Sequence, residues 1–549
     1  MKRIIYILFL IFLFFSCNNN LPEYYEIEIK SPKQNWIYYT DTEIVFSCNV
    51  KDRNLIWYSS IDGKIGEGYH FTRSLSEGSH TITLKDNKAK KTSSVCIEVQ
   101  VNQNYKNISL ITHLPFNFNI DKNESFGIFS LNGKMDSSFL EFNSEKNNKN
   151  DTEFNRDIYL KNNLMNLQIN KIKSARNIES GYQSREFYVI NTNETLNSPH
   201  KIIAEKYYDG NEFSVWIPKG IANVNHDDID KIIMPLENFV MRRVKELWGE
   251  CADIDSNGKL TILFSKTINE ENKAVGFFNS KDFFRNISEK TSSAYNPYSN
   301  EMDIIYVAFP DSENRNYSIE SIIATVSHEF AHAVNFSQKT WKSLSKGDND
   351  IVQEELFLDE GWSHLTELLC GYGSSGGDIN FINFYLENSS YYSFCKNDYL
   401  GRNDSVGQRG AVCLFLYWLF EKAGGIGYEN DGFDFIDQGG ISFLKSMTDT
   451  KQTGWDCIGN YFNKNTDSLF IEFSKILLNQ NINSFFNENK KDPVTNEYFL
   501  KNVSLKKLPC REYFKILPYS ISNFGIFNNS GCITVNGTAL NGNIYLYRY

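Results

Sequence analysis

Between Ile319 and Val334 the apolar residues Ile319, Ile322, Ile323, Val326, Phe330 and Val334 recur at helical spacing, while Ser321, Thr325, His328 and His332 fall on the opposite line. A helix here buries one face and turns two imidazoles, one turn apart, toward whatever lies across from it. The stretch Ser327-His328-Glu329-Phe330-Ala331-His332 reads H-E-x-x-H. At this spacing both histidines can hold one Zn²⁺, with Glu329 beside the water that such a metal activates. Three of the chain's eight histidines lie between positions 328 and 364, which makes a chance occurrence of the motif a poor explanation.

A catalytic zinc takes three protein ligands and keeps one position open, so a third ligand is required. The segment Leu358-Asp359-Glu360-Gly361-Trp362-Ser363-His364-Leu365-Thr366-Glu367 supplies a candidate. As a helix it places Glu360, His364 and Glu367 on one face and Leu358, Trp362, Leu365 and Leu369 on the other. The expectation is two helices facing each other across a polar cleft. Glu354 and Glu355 compete for the ligand role from a polar loop, and an ordinary acidic helix face is the plainer reading of Glu360 and Glu367.

Three segments together resemble a known family: His328 to Phe336, Asp359 to Glu367 and Arg409 to Tyr417 look like the hyicolysin-type zinc metallopeptidases, part of the glutamate-zincin group. The resemblance runs from about Tyr207 to the end of the chain. It implies a zincin-like catalytic domain with His328, His332 and Glu360 as metal ligands and Glu329 as general base. Zincins of this group often carry Asn before the glutamate ligand, where this chain has Asp359. The metzincin pattern is excluded, because Asn335 and Gln338 stand where it needs Gly and His. His364, Glu367, Tyr372, Tyr385 and Arg409 remain as candidates for orienting a ligand or for stabilising the oxyanion.

The expected activity is hydrolysis of peptide bonds by a metal-activated water, a cell-envelope endopeptidase acting on protein or peptide substrates. An adhesin or binding lipoprotein built on an inactive zincin scaffold is the alternative; an intact ligand set that keeps Glu329 argues for the enzyme. A net charge of −11 leaves no basic footprint for nucleic acid.

At the N-terminus, Lys2 and Arg3 precede an apolar run from Ile4 to Phe15 and then Ser16-Cys17. That pattern fits an export signal rather than a bilayer span, with Cys17 as the lipid-modified residue of a bacterial lipoprotein anchored in the envelope. A plain cleaved signal peptide is the alternative. Ten cysteines leave nine after lipidation, so at least one thiol stays free or pairs outside the chain.

The expected organisation is multi-domain α+β. Residues 1–17 are the signal and 18–105 an immunoglobulin-like β-domain. Residues 106–200 form a β-rich module with an Asn/Lys-rich loop, 201–490 the metallopeptidase domain, and 491–549 a small C-terminal β-domain. In the first β-domain Cys48, Trp57 and Cys96 echo the immunoglobulin arrangement, which raises a Cys48–Cys96 disulfide. Farther on, Asp253-Ile254-Asp255-Ser256-Asn257-Gly258 copies the start of an EF-hand loop. Its twelfth position is Phe264 within a strand pattern, which favours a plain turn; a structural Ca²⁺ at Asp253, Asp255 and Asn257 is the alternative.

Overall fold

A computed structural model describes residues 27–100, apart from 33, 35–36, 41–43, 52–53, 87 and 89, and residues 184–501, apart from 191–198, 223, 349–350, 390–391, 393–405 and 480. Outside these ranges it describes 108–111, 116–120, 125–131, 138–141, 157–159, 513–516, 521–524, 531–539 and 543–548. The export signal, Cys17 and the Asn-rich stretch from Asn143 to Asn155 lie outside the described residues. The chain divides into two compact units, 1–101 and 102–549, and mixes helices with several sheets as a multi-domain α+β protein.

The first unit is all β. A three-stranded sheet (Ile29–Ser31, Ile44–Cys48, His70–Arg73) and a five-stranded sheet (Ile37–Tyr39, Lys91–Gln100, Gly78–Asp86, Leu55–Ser59, Gly63–Glu67) share one core. Trp57 is fully buried there, edge-on to Phe46 and Phe71, with its indole N–H donated to the Gly68 carbonyl at 2.9 Å. The expected Cys48–Cys96 disulfide is not formed, and both thiols are free. Strand parity explains why: Ile97 and Val99 point into the core, so Cys96, one residue before Ile97, points to the other face and is exposed.

The second unit is organised on a seven-stranded mixed sheet. Its strands are β1 (Asp157–Tyr159), β2 (Ser184–Val189), β3 (His200–Asp209), β4 (Phe213–Pro218), β5 (Leu260–Phe264), β6 (Gly276–Phe278) and β7 (Ile304–Val307). They lie in the order β1-β6-β7-β5-β4-β3-β2. The central strands β4, β5 and β7 are mutually parallel and apolar on both faces, as a sheet covered on both sides requires. Ahead of β5 lie α1 (His226–Pro235), a wide π turn at Leu236–Val240, and α2 (Met241–Trp248). Pro235 explains the wide turn, since it has no N–H to continue the regular ladder.

Four further helices build the layer that matters for function: α3 (Ile319–Asn335), α4 (Leu356–Leu369), α5 (Asp378–Glu387) and α6 (Val406–Lys422). Helix α3 starts on Ser318, whose hydroxyl accepts the Ser321 N–H at 3.2 Å, and packs on β6 and β7. Close approach to β6 depends on Gly276, because a Cβ there would lie 2.5 Å from Thr325 Cγ2 and 2.8 Å from the Tyr306 carbonyl oxygen.

The two β-modules expected at 106–200 and 491–549 are not separate. Strands from both regions interleave into two antiparallel four-stranded sheets. One runs Phe116–Ile120, Gly531–Ala539, Ser138–Glu141, Tyr513–Ile516, and the other Ile521–Phe524, Phe126–Leu131, Asn543–Arg548, Ile108–Ile111. Strands β1 and β2, also expected in the second module, belong instead to the seven-stranded sheet. Period-2 patterning marks a strand but does not name its partner, so the sequence offered no sign of this pairing.

Candidate metal centre

Both ligand-bearing helices form where the periodicity places them, but neither offers a solvated face. Every residue from Ser321 to Asn335 is buried, because α4 covers the polar line of α3. Likewise Phe357 to Leu369 are all buried. On its far side α4 is anchored by Trp362, which packs against Trp248 and Phe443, and by Thr366, whose hydroxyl takes the Trp248 indole N–H at 2.8 Å. Gly361 lets α6 approach α4 beside Glu360: a Cβ at this position would lie 2.3 Å from Val412 Cγ1.

His328, His332 and Glu360 converge, as do His328, His364 and Glu367. The first trio has the atoms of a metal site. Glu367 Oε1 accepts from His328 Nδ1 at 2.7 Å, and Asp359 Oδ2 lies 3.1 Å from His332 Nδ1. A neutral imidazole carries one N–H, so protons held at both Nδ1 positions leave two Nε2 lone pairs facing each other at 3.1 Å. Glu360 Oε2 is 3.7 Å from His328 Nε2. Three electron-rich atoms this close call for a cation among them. Zinc bonds of about 2.0–2.1 Å in tetrahedral array set ligand atoms about 3.3 Å apart, which falls between the two spacings.

The second trio is different in kind, since its 2.7 Å and 3.1 Å separations are those of hydrogen bonds between the two imidazoles and one carboxylate oxygen. Glu367 therefore orients the His328 ring and Asp359 the His332 ring. Asp359 is in turn held by the Asn335 side-chain amide, which donates to Oδ1 at 2.7 Å. Asp359, where the sequence resemblance led one to expect Asn, thus stands against His332.

Charge follows from these contacts. Burial by itself would raise the Glu360 carboxyl, but the Arg409 guanidinium and the two rings outweigh it and hold the pKa at about 2, so the ligand is anionic. For His332 burial lowers the pKa, while the charge and hydrogen bond of Asp359, aided by Glu360, raise it overall. The centre attracts positive charge, whether a proton or a metal. Glu329, wholly buried next to His328 in the chain, lies against β6, where its Cγ would be 3.5 Å from a Cβ on Gly276.

Not every candidate residue reaches the centre. Arg409 does, donating from Nη1 to Glu360 Oε2 at 3.1 Å and to His364 Nε2 at 3.0 Å. That nitrogen is spent on protein acceptors rather than held ready for an oxyanion. Tyr372 instead stacks on Phe239 past the end of α4, and burial pushes its hydroxyl pKa up. Tyr385 is fully buried in the apolar core on α5. The competing ligand Glu354 is engaged by Lys339, and Glu355 starts α4. Asp378 was not anticipated: its Oδ1 is 2.8 Å from His364 Nδ1. At the start of a helix an Asp reads as an ordinary first-turn acid, and no local pattern signals this role.

The chain is 25% identical over 189 residues to the neutral metalloprotease ShpI of Staphylococcus hyicus. The likeness is distant and partial. It covers 32% of this chain and 38% of that protein, and supports relationship to metalloproteases at that level. No protein-family model matches the sequence.

The EF-hand-like stretch takes the plain-turn form. Asp253 accepts the N–H groups of Asn257 and Gly258 at 3.0 Å each, and the Asn257 side-chain amide donates to Asp255 at 2.9 Å, leading into β5. Asp253 and Asp255 form an acidic cluster with Asp303. The calcium expectation finds no support beyond that acidic cluster.

Proposed function

We propose that the protein is a zinc-dependent endopeptidase of the cell envelope. The observation that carries this reading is the convergence of His328 Nε2, His332 Nε2 and Glu360 Oε2, with a buried Glu329 following His328 in the chain. The metalloprotease relative supports the same reaction class. Zinc, when held by these three residues, supplies a Lewis acid that polarises the peptide carbonyl and lowers the pKa of water. The Glu329 carboxylate accepts the proton of the attacking water and passes it to the leaving amine. Glu367 and Asp359 keep the N–H of each ligand imidazole at Nδ1 and so leave both Nε2 atoms free to bind. A binding lipoprotein on a dead scaffold would have no use for Glu329 in this position.

The test joins metal analysis of the purified protein with digestion of a peptide library. Wild type is expected to contain one zinc and to cleave. Glu360→Gln removes a charge and a bond, so its zinc affinity and cleavage should both fall sharply. Wild-type zinc binding and turnover in Glu360→Gln would remove Glu360 from the ligand set.

We also assign membrane attachment to acyl chains on Cys17, on the strength of the charged, apolar and Ser-Cys run that precedes it. Cys17→Ala should shift the protein from the membrane fraction to the soluble fraction. Unchanged partitioning would end the lipoprotein assignment.

A further inference from the structure

Around the proposed ligands runs a chain of polar contacts whose centre, His364, is not one of the three residues proposed to hold the metal. From Glu360 Oε2 it passes to Arg409 Nη1 (3.1 Å), His364 Nε2 (3.0 Å), across the ring to His364 Nδ1, then to Glu367 Oε1 (3.1 Å) and His328 Nδ1 (2.7 Å). His364 is fully buried, with an Asp378 oxygen 2.8 Å from Nδ1 and the Phe381 ring edge-on at 5.6 Å. We infer that His364 is a positioning residue that couples the two ligand helices, α3 and α4, through its two ring nitrogens. The inference rests on the ligand set proposed above.

The donor chemistry fixes the direction of each step. Guanidinium has no acceptor, so Arg409 Nη1 must donate, and His364 Nε2 must be the bare nitrogen that receives it. The ring's N–H is therefore at Nδ1, where two carboxylates, Glu367 and Asp378, await it. Glu367 Oε1 then receives N–H groups from two histidines, one of them the ligand His328. Rotation of the His364 ring breaks both arms together: it takes from Arg409 the acceptor at His364 Nε2, and from Glu367 the donor at His364 Nδ1. The first change loosens Glu360 and the second loosens His328. Neither Asp378 nor Arg409 belongs to a ligand helix, so α5 reaches the proposed ligands through this side chain, and α6 reaches them both through it and directly at Glu360.

Amide side chains separate the two arms. In His364→Asn the side-chain NH₂ takes the place of Nδ1 and can donate to Glu367, whereas in His364→Gln the amide oxygen reaches the place of Nε2 and can accept from Arg409. Zinc affinity is measured by chelator competition on the full-length protein, beside kcat and KM for a cleaved peptide. His364→Leu keeps volume and loses both arms, and is expected to weaken zinc binding by about 10–100-fold. Asn and Gln should each recover part of that loss. Folded Asn and Gln variants that bind no better than Leu, or a Leu variant that binds like wild type, would overturn the coupling role.

A measurement on unsubstituted protein stands apart from folding of the variants. Histidine-selective ¹⁵N labelling should find ring 364 neutral with its proton on Nδ1; a proton on Nε2 overturns the inference. If wild type binds no zinc, the ligand set itself fails and takes this inference with it. Loss of peptidase activity alone, with the affinity series as expected, overturns the enzyme reading and leaves the coupling intact.

Discussion

Glu329→Gln is expected to lower peptide hydrolysis by about 10²–10⁴-fold while zinc stays bound at the wild-type level. The amide matches the carboxylate in shape, so the packing of α3 against β6, close enough that Gly276 is required there, is preserved. What disappears is an acceptor able to take up a proton and release it. Since Glu329 is outside the trio that converges on the metal position, the metal and the base separate in this one substitution. Single-turnover cleavage and metal content measured on the same sample decide the matter. Retained turnover would place the chemistry on another group, and lost zinc would make Glu329 a ligand.

Gly410→Ala should destabilise the second unit by about 2–3 kcal/mol, against the ordinary expectation for a helix interior. Alanine is the better helix former by about 1 kcal/mol. The contact outweighs that gain, because a Cβ at position 410 of α6 would sit 1.9 Å from the Phe381 carbonyl oxygen and 2.1 Å from its carbon. Both belong to the backbone of α5, which cannot rotate out of the way as a side chain can, so the two helices must separate. Arg409 and Asp378 lie on the helices that move, and zinc affinity should fall along with stability. Denaturant unfolding gives the stability change; a midpoint equal to or above wild type would mean that α5 and α6 absorb the methyl without cost.

The two helices and the clustering of their polar residues were legible because one physical regularity governs both. Apolar residues at 3.6-residue spacing fix which face of α3 and α4 is buried, and the same spacing lines up His328 with His332 and Glu360 with His364 and Glu367. The expected helix from Ile319 to Val334 ends one residue later in the structure, at Asn335. What the spacing could not supply was the set of partners reached across the fold. Asp378 meets His364 from α5, and Arg409 meets Glu360 from α6, where an all-apolar helix pattern hides the one charge that matters. The polar line of α3 was expected to face a polar cleft; it is buried instead, because α4 covers it and brings the Glu367 and Asp359 carboxylates against its two imidazoles. The Cys48–Cys96 expectation failed for a simpler reason, the outward parity of position 96.

The interleaved sheets have a consequence for when this protein can become itself. Phe116 pairs with Val535, and Ile128 with Leu546, so strands made early in synthesis wait for almost the whole chain before they have neighbours. Until then the segment from Ile108 to Glu141 carries unpaired edges, which invite the wrong partners. Closing so long a loop is slow, and the metallopeptidase-like region between the two sets of strands must already be compact for them to meet. Assembly is thus ordered from the middle outward, and the last strands made complete the structure that the first ones began.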